Sequence, residues 1–85
     1  MRTLIFDIET DNLLLDVENF WVGVTYCIET KEEKVYYEAE ELVGALRGAD
    51  CIVGHNIIGY DIPVLTKLTG IEVETEAVDT LVLAK

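Results

Sequence analysis

Hydrophobic and polar positions divide this 85-residue chain into short blocks with two different periods. Thr3, Leu4, Ile5 and Phe6 form a compact β-prone run that breaks off at Asp7. This predicts a buried first strand at about residues 2 to 9, its C-terminal end meeting solvent or a site. A polar, Leu-rich loop runs from Thr10 to Asn19. Phe20 to Ile28 is rich in aromatic and β-branched residues and predicts a second strand. After a charged turn from Glu29 to Glu33, Lys34 to Tyr37 reads as a third strand. Two hairpin-type connections then make an antiparallel meander. At Ala39 the period lengthens: Ala39, Leu42, Val43 and Leu46 fall at i, i+3, i+4 and i+7, and the stripe ends before Gly48. Cys51 to Val53 is an apolar run suited to a fourth strand, parallel to the first and reached by the helical crossover. A second helix is expected from Asp61 to Thr69, with Pro63 in its first turn and Gly70 past its end. An extended piece leads to Asp79 and Thr80, which open a third helix over Leu81 to Lys85.

The order β-β-β-α-β-α predicts an α/β fold, the first part of an RNase H-like mixed sheet. In it a three-stranded antiparallel meander is joined by a parallel fourth strand. Repeats, low-complexity stretches and linkers are absent, and the length allows residues 1–85 to form a single small domain with a thin core. Charge changes the picture most. Six Lys and Arg stand against 17 Asp and Glu, a net charge of −11, which is the wrong sign for coating nucleic acid by phosphate neutralisation. The same charge permits a carboxylate cluster that recruits divalent cations, which then meet an anionic substrate. No apolar run reaches the length of a membrane span and no secretion signal opens the chain, so no membrane partner and a cytoplasmic location are expected. Cys27 and Cys51 lack metal-site or redox spacing and read as buried apolar thiols.

Candidate chemistry falls in two places. Asp7 and Glu9 share one face of the first strand, since strand side chains alternate. Like charges this close raise one another's pKa unless a cation neutralises them, and Mg²⁺ suits a few carboxylates completed by water and phosphate. A solvated acidic strand end is the simpler alternative. The second place is Gly54-His55-Asn56-Ile57-Ile58-Gly59-Tyr60-Asp61, where the fourth strand hands over to a helix. In mixed α/β sheets sites collect at such strand ends. If strands one and four are parallel neighbours, Asp61 approaches Asp7 and Glu9. Asp61 also suits the N-cap before Ile62 and Pro63, and the two roles are compatible.

These residues resemble a known family. Asp7-Ile8-Glu9-Thr10 is similar to the first motif of the DEDD (DnaQ-like) 3′-to-5′ exonucleases, and Asn56-x-x-x-Tyr60-Asp61 to the second. The run from Gly54 to Leu68, followed by Val78-Asp79-Thr80-Leu81-Val82-Leu83, is most similar to the proofreading domain of family A phage DNA polymerases. The resemblance implies a two-metal site for Mg²⁺ or Mn²⁺, with Asp7 bridging the ions, Glu9 holding one, and Asp61 positioning the other partly through water. It implies that Thr10 and Leu13 touch the terminal nucleotide and that Asn56 and Tyr60 orient and flank the site. On their own terms Thr10 and Asn56 read as turn or cap residues, Leu13 and Tyr60 as core. The implied partners are the 3′ end of single-stranded DNA and a polymerase domain, and a phage-derived chain would work in the cytoplasm of its bacterial host.

One part of the family pattern is missing. The third motif, a Tyr or His with a nearby Asp that supplies the fourth carboxylate and orients the water, has no counterpart after Asp79. Asp79 matches a family Asp-Thr that begins a helix and reads as an N-cap. His55, the only histidine, reads as a packed, hydrogen-bonded residue. The expectation is a truncated exonuclease-like domain, weak or inactive alone, needing the rest of its domain. Two other readings stand beside it: an inactive module that binds or assembles, self-associating through an incomplete sheet, and an acidic mimic of nucleic acid.

Overall fold

The computed structural model describes residues 1–83. Ala84 and Lys85, the end of the expected third helix, lie outside the described residues. Strands β1 (Thr3–Thr10), β2 (Phe20–Cys27) and β3 (Glu33–Tyr36) form the antiparallel meander. Helix α1 (Ala39–Arg47) crosses over to β4 (Cys51–Gly54), which lies parallel to β1. A π-helical turn (Ile57–Asp61) runs directly into α2 (Ile62–Thr69), and β5 (Glu76–Asp79) and α3 (Thr80–Leu83) follow. The sheet order is β3-β2-β1-β4-β5, with β5 parallel to β4. This is the mixed sheet expected from the sequence, extended by one parallel strand: the piece read only as extended pairs Cys51 through Gly54 with Glu76 through Asp79.

Alternation in β1 decides which face carries the core. Leu4, Phe6 and Ile8 are buried against α1 and α2, where Leu42, Val43, Leu46, Val64 and Leu65 complete the packing. Ile5, Asp7 and Glu9 take the opposite face and are exposed. The register places Val22, Val24 and Tyr26 of β2 on that open face as well. Gly70 closes α2 in the left-handed conformation with φ 73°, where a side chain would be strained, and its N–H bonds the Thr66 carbonyl.

Two features position the site. Parallel pairing of β1 with β4 stops at Ile5 opposite Val53, while β1 continues to Thr10. The stretch from Asp7 onward therefore has β2 on one side and no strand on the other, and the π turn packs there instead. Gly54 makes this approach possible. A Cβ at Gly54 would lie 2.3 Å from the Ile57 side chain and 2.9 Å from the Phe6 carbonyl oxygen.

The expected start of the second helix is corrected. Asp61 is not its N-cap: its backbone is right-handed helical, φ −57° and ψ −49°, and its side chain makes no capping bond. The helical segment begins four residues earlier, at Ile57. Pro63 falls in the first turn of α2, as expected.

Candidate functional site

Asp7 and Glu9 stand on the open face of β1, both exposed, at the end that overhangs β4. Asp61 closes the π turn and is only 4% exposed. Its Oδ2 is buried without any hydrogen-bond partner. Burial and then the negative charge of Asp7 push the Asp61 carboxyl up to about 7; the N–H groups of Asp61 and Ile8 pull it down, and Asp79 adds a smaller upward push. The fold thus brings Asp61 into electrostatic reach of Asp7. A cleft of about 550 Å³ opens beside Asp7, lined also by Ile5, Phe6, Val53, Gly54, His55 and Thr80 but not by Asp61.

Among the described residues no three His, Cys, Asp or Glu side chains are gathered tightly enough to enclose a metal ion. The donor chemistry still fits a hard dication. A buried carboxylate oxygen with no donor costs free energy unless a proton or a cation meets it. Mg²⁺ keeps several waters and is held by one or two carboxylates with substrate phosphate, so an open set suits it.

Around the carboxylates, the loop from Asp11 to Asn19 is built to hold its shape. The Asp11 carboxylate accepts bonds from the N–H of Glu18 and Asn19, both 3.1 Å, and from the Asn19 side-chain amide at 3.0 Å. The Asn19 backbone contact holds the Asp11 carboxyl below its usual range; burial opposes it, and the remaining bonds from the Asn19 side chain and the Glu18 N–H add to the lowering. Lys67 of α2 donates to the carbonyls of Leu14 and Leu15, both at 3.0 Å. Thr10 shares a short hydroxyl–hydroxyl contact with Tyr60, whose phenol also donates to the Asn12 carbonyl at 2.6 Å. Tyr60 is half-buried, so it is partly a packing residue and partly the tie between loop and turn. Leu13 is 74% exposed, which corrects the reading of Leu13 as core: the loop turns it outward while Val17, 1% exposed, takes the core position.

Asn56 is the turn residue expected, in the left-handed conformation at φ 60°. Its N–H donates to Asp79 Oδ1 at 2.8 Å. His55 is hydrogen-bonded, Nδ1 to Thr80 Oγ1 at 3.1 Å, but it is exposed rather than packed because it lies just past the end of β4. Cys27 is buried as expected; Cys51 is only half-buried, standing on the open face of the sheet. Asp79 caps α3 as expected, accepting from Leu81 N–H at 2.9 Å. Sequence reasoning missed its two further contacts, to Asn56 and to Ile58 N–H at 2.9 Å. They follow from the β4–β5 register, which sets Asp79 opposite Gly54 and has no mark in the sequence.

Metal-free, this arrangement predicts a pH dependence. Between about pH 4 and 7 the unfolded chain gives up the Asp61 proton that the folded chain keeps, so stability falls as pH rises and levels off above about 7. The expected fall is about 1–2 kcal/mol after allowing for solvent screening. Urea midpoints measured from pH 4 to 8 in a chelator should show it, and Asp61→Asn should flatten the profile. Equal slopes in the two proteins would contradict it. The Asp79 carboxyl behaves oppositely: burial pushes it up, but the N–H groups of Ile58, Leu81 and Asn56 and the nearby His55 outweigh burial and hold it low.

Strand order, crossover and carboxylate-bearing strand end together define an RNase H-like α/β unit. No family model matches the chain. It is 34% identical over 95 residues to the DNA-directed DNA polymerase of Enterobacteria phage T3, and 35% identical over 100 residues to that of Escherichia phage T7. Each match covers 96% of this chain and 14% of the relative, so the chain spans about one seventh of the curated relatives' length. Among solved structures, the family B DNA polymerase of the hyperthermophilic archaeon Pyrobaculum calidifontis superposes with a TM-score of 0.72 at 20% identity, over 95% of this chain and 15% of that one. The chain is similar in sequence to one stretch of two phage DNA polymerases, and its fold occurs in one stretch of the archaeal DNA polymerase. Among the described residues no helix is long and apolar enough to cross a membrane.

Proposed function

We propose that this chain is the N-terminal part of a metal-dependent 3′-to-5′ exonuclease domain that proofreads for a DNA polymerase. The observation that supports this most is the buried, partnerless Oδ2 of Asp61 beside Asp7 at the overhanging end of β1. Asp7 and Glu9 from the strand and Asp61 from the turn supply the oxygens for Mg²⁺ or Mn²⁺. Such ions, held by these residues, would supply water activation and charge neutralisation at a phosphodiester. The chain's own residues do the rest. Leu13 offers an exposed apolar side chain for a terminal base, and Thr10 with Tyr60 fixes the loop that carries it. Asn56 shapes the turn that presents Asp61.

The likeness to phage DNA polymerases supports DNA as substrate and a polymerase region as partner, and the free single-stranded 3′ end follows from the motif resemblance at Asp7–Thr10 and Asn56–Asp61. The open sheet face supports a second reading, an inactive module that binds or assembles. Ile5, Tyr26 and Val35 are 41%, 37% and 44% exposed there, an apolar surface that α/β sheets normally cover.

A 3′-labelled oligonucleotide with Mg²⁺ and with Mn²⁺ separates the readings. The 85-residue chain is expected to show little or no digestion, and a longer version carrying the family's third motif to shorten the oligonucleotide from its 3′ end. The Asp7→Ala form of that longer version should be inactive. An inactive longer version would overturn the exonuclease reading and leave the binding module.

A further inference from the structure

The π turn that carries Asp61 is held at both ends, and the residue holding its start is not one of the site's carboxylates. Its far end is tied by Tyr60 to Thr10 and Asn12. At its start the chain leaves β4, passes through the left-handed Asn56 and begins a turn whose first N–H groups have no intrahelical acceptor. Asp79 accepts two of the N–H groups at this entry. Its Oδ1 takes the N–H of Asn56 at 2.8 Å and its Oδ2 takes that of Ile58 at 2.9 Å, while Oδ1 also caps α3 through Leu81. The carboxylate is 5% exposed, so these bonds meet little competition from water. The register sets Asp79 beside Gly54, the last residue of β4, with His55 and Asn56 between it and the turn's start at Ile57. A Cβ at Gly59 would lie 2.7 Å from Asn56 Oδ1, so the turn is packed tightly against its own entry residue.

We propose that Asp79 is a positioning residue for Asp61: by clamping Asn56 and Ile58 it fixes the π turn, and so the placement of the Asp61 carboxylate against Asp7. This rests on the carboxylate-site reading above and adds a residue that touches neither substrate nor ion. One carboxylate serves two jobs, helix cap and turn clamp, and the jobs come apart by substitution. Serine caps a helix well but is too short to reach both Asn56 and Ile58. Asparagine keeps one acceptor oxygen and loses the other.

The test uses the ¹⁵N-labelled 85-residue chain, with Mn²⁺ alone as probe. In Asp79→Ser, amide exchange at Asn56 and Ile58 is expected to rise about tenfold or more while Leu81 changes less than about twofold. The ratio of Mn²⁺ broadening at Asp61 to that at Asp7 should fall about fivefold, because a ligand set loses affinity when its support is removed. Asp79→Asn should fall between wild type and Ser, and serves in its place if the Ser variant does not fold. Ala45→Gly in α1, a control for stability loss alone, should leave the ratio unchanged. An unchanged ratio in Asp79→Ser, with exchange at Asn56 and Ile58 raised, would overturn the proposal. If Mn²⁺ broadens neither Asp7 nor Asp61 in the wild type, the carboxylate-site reading fails instead. The positioning role is then judged from exchange at Tyr60 and Asp61 in the metal-free chain, where acceleration in Asp79→Ser supports it and no change overturns it.

Discussion

Asp7→Ala is expected to weaken Mn²⁺ binding about 100-fold and, in the same protein without metal, to lower the pKa of Asp61. The two effects share one cause. After burial, the negative charge of Asp7 is the largest influence holding the Asp61 carboxyl up, so its removal lets Asp61 ionise at lower pH. For a dication the sign reverses, because each carboxylate then adds attraction. At an effective dielectric of about 20, one carboxylate at contact distance is worth several kcal/mol, and about 3 kcal/mol of it surviving desolvation corresponds to the 100-fold loss. Calorimetric titration with Mn²⁺ measures the first effect, and carboxyl carbon shifts followed against pH the second. If Mn²⁺ affinity fell while the Asp61 titration stayed put, the two groups would not be electrostatic neighbours.

The largest effect on stability is expected at Leu42. It is fully buried on α1, and its Cδ2 lies 2.6 Å from the point where a Cβ on Gly23 would stand, so the helix rests directly on the backbone of β2. Leu42→Ala leaves a cavity that the glycine cannot fill, at a cost of about 3 kcal/mol. A chain of this length has only about 4–12 kcal/mol of stability, so a drop in Tm of about 15 °C or outright unfolding is expected in a thermal melt. Val35→Ala, half-exposed on the open face, should change stability by less than about 0.5 kcal/mol. A Leu42→Ala protein that melts within a few degrees of wild type would mean that α1 is not seated on the sheet as described.

Why some features were legible and others not follows from what leaves a mark in sequence. Asp7 and Glu9 on either side of Ile8 mark a strand face turned outward, and the stripe of Ala39, Leu42, Val43 and Leu46 marks a one-sided helix, whereas the unbroken apolar run from Thr3 to Phe6 reads as a buried strand and hides that Ile5 is 41% exposed. Those periods come from burial, and burial is what the structure shows. The π turn has no comparable mark. Its i→i+5 bonds impose a wider winding over five residues, too few for a period to show, and Pro63 with Gly70 drew the helix start to Asp61 instead. β5 is four residues long with Glu76 exposed, so only its pairing to β4 distinguishes it from an extended linker. The approach of Asp61 to Asp7 was readable because parallel β1 and β4 force it. The clamp by Asp79 was not, since it depends on β5 joining the sheet. Leu13 misled for a plain reason: nothing in a Leu-rich loop says which leucine the loop will turn outward.

The central claim is that Asp7, Glu9 and Asp61 form one cation site rather than three members of an acidic surface. Paramagnetic broadening of the ¹⁵N-labelled 85-residue chain by sub-stoichiometric Mn²⁺ tests it most directly. The account predicts that signals of Asp7, Glu9 and Asp61 and their immediate neighbours vanish first, while those around Glu32, Glu40 and Glu72, exposed acidic residues elsewhere in the sequence, persist. Broadening spread evenly over all the acidic residues would contradict it.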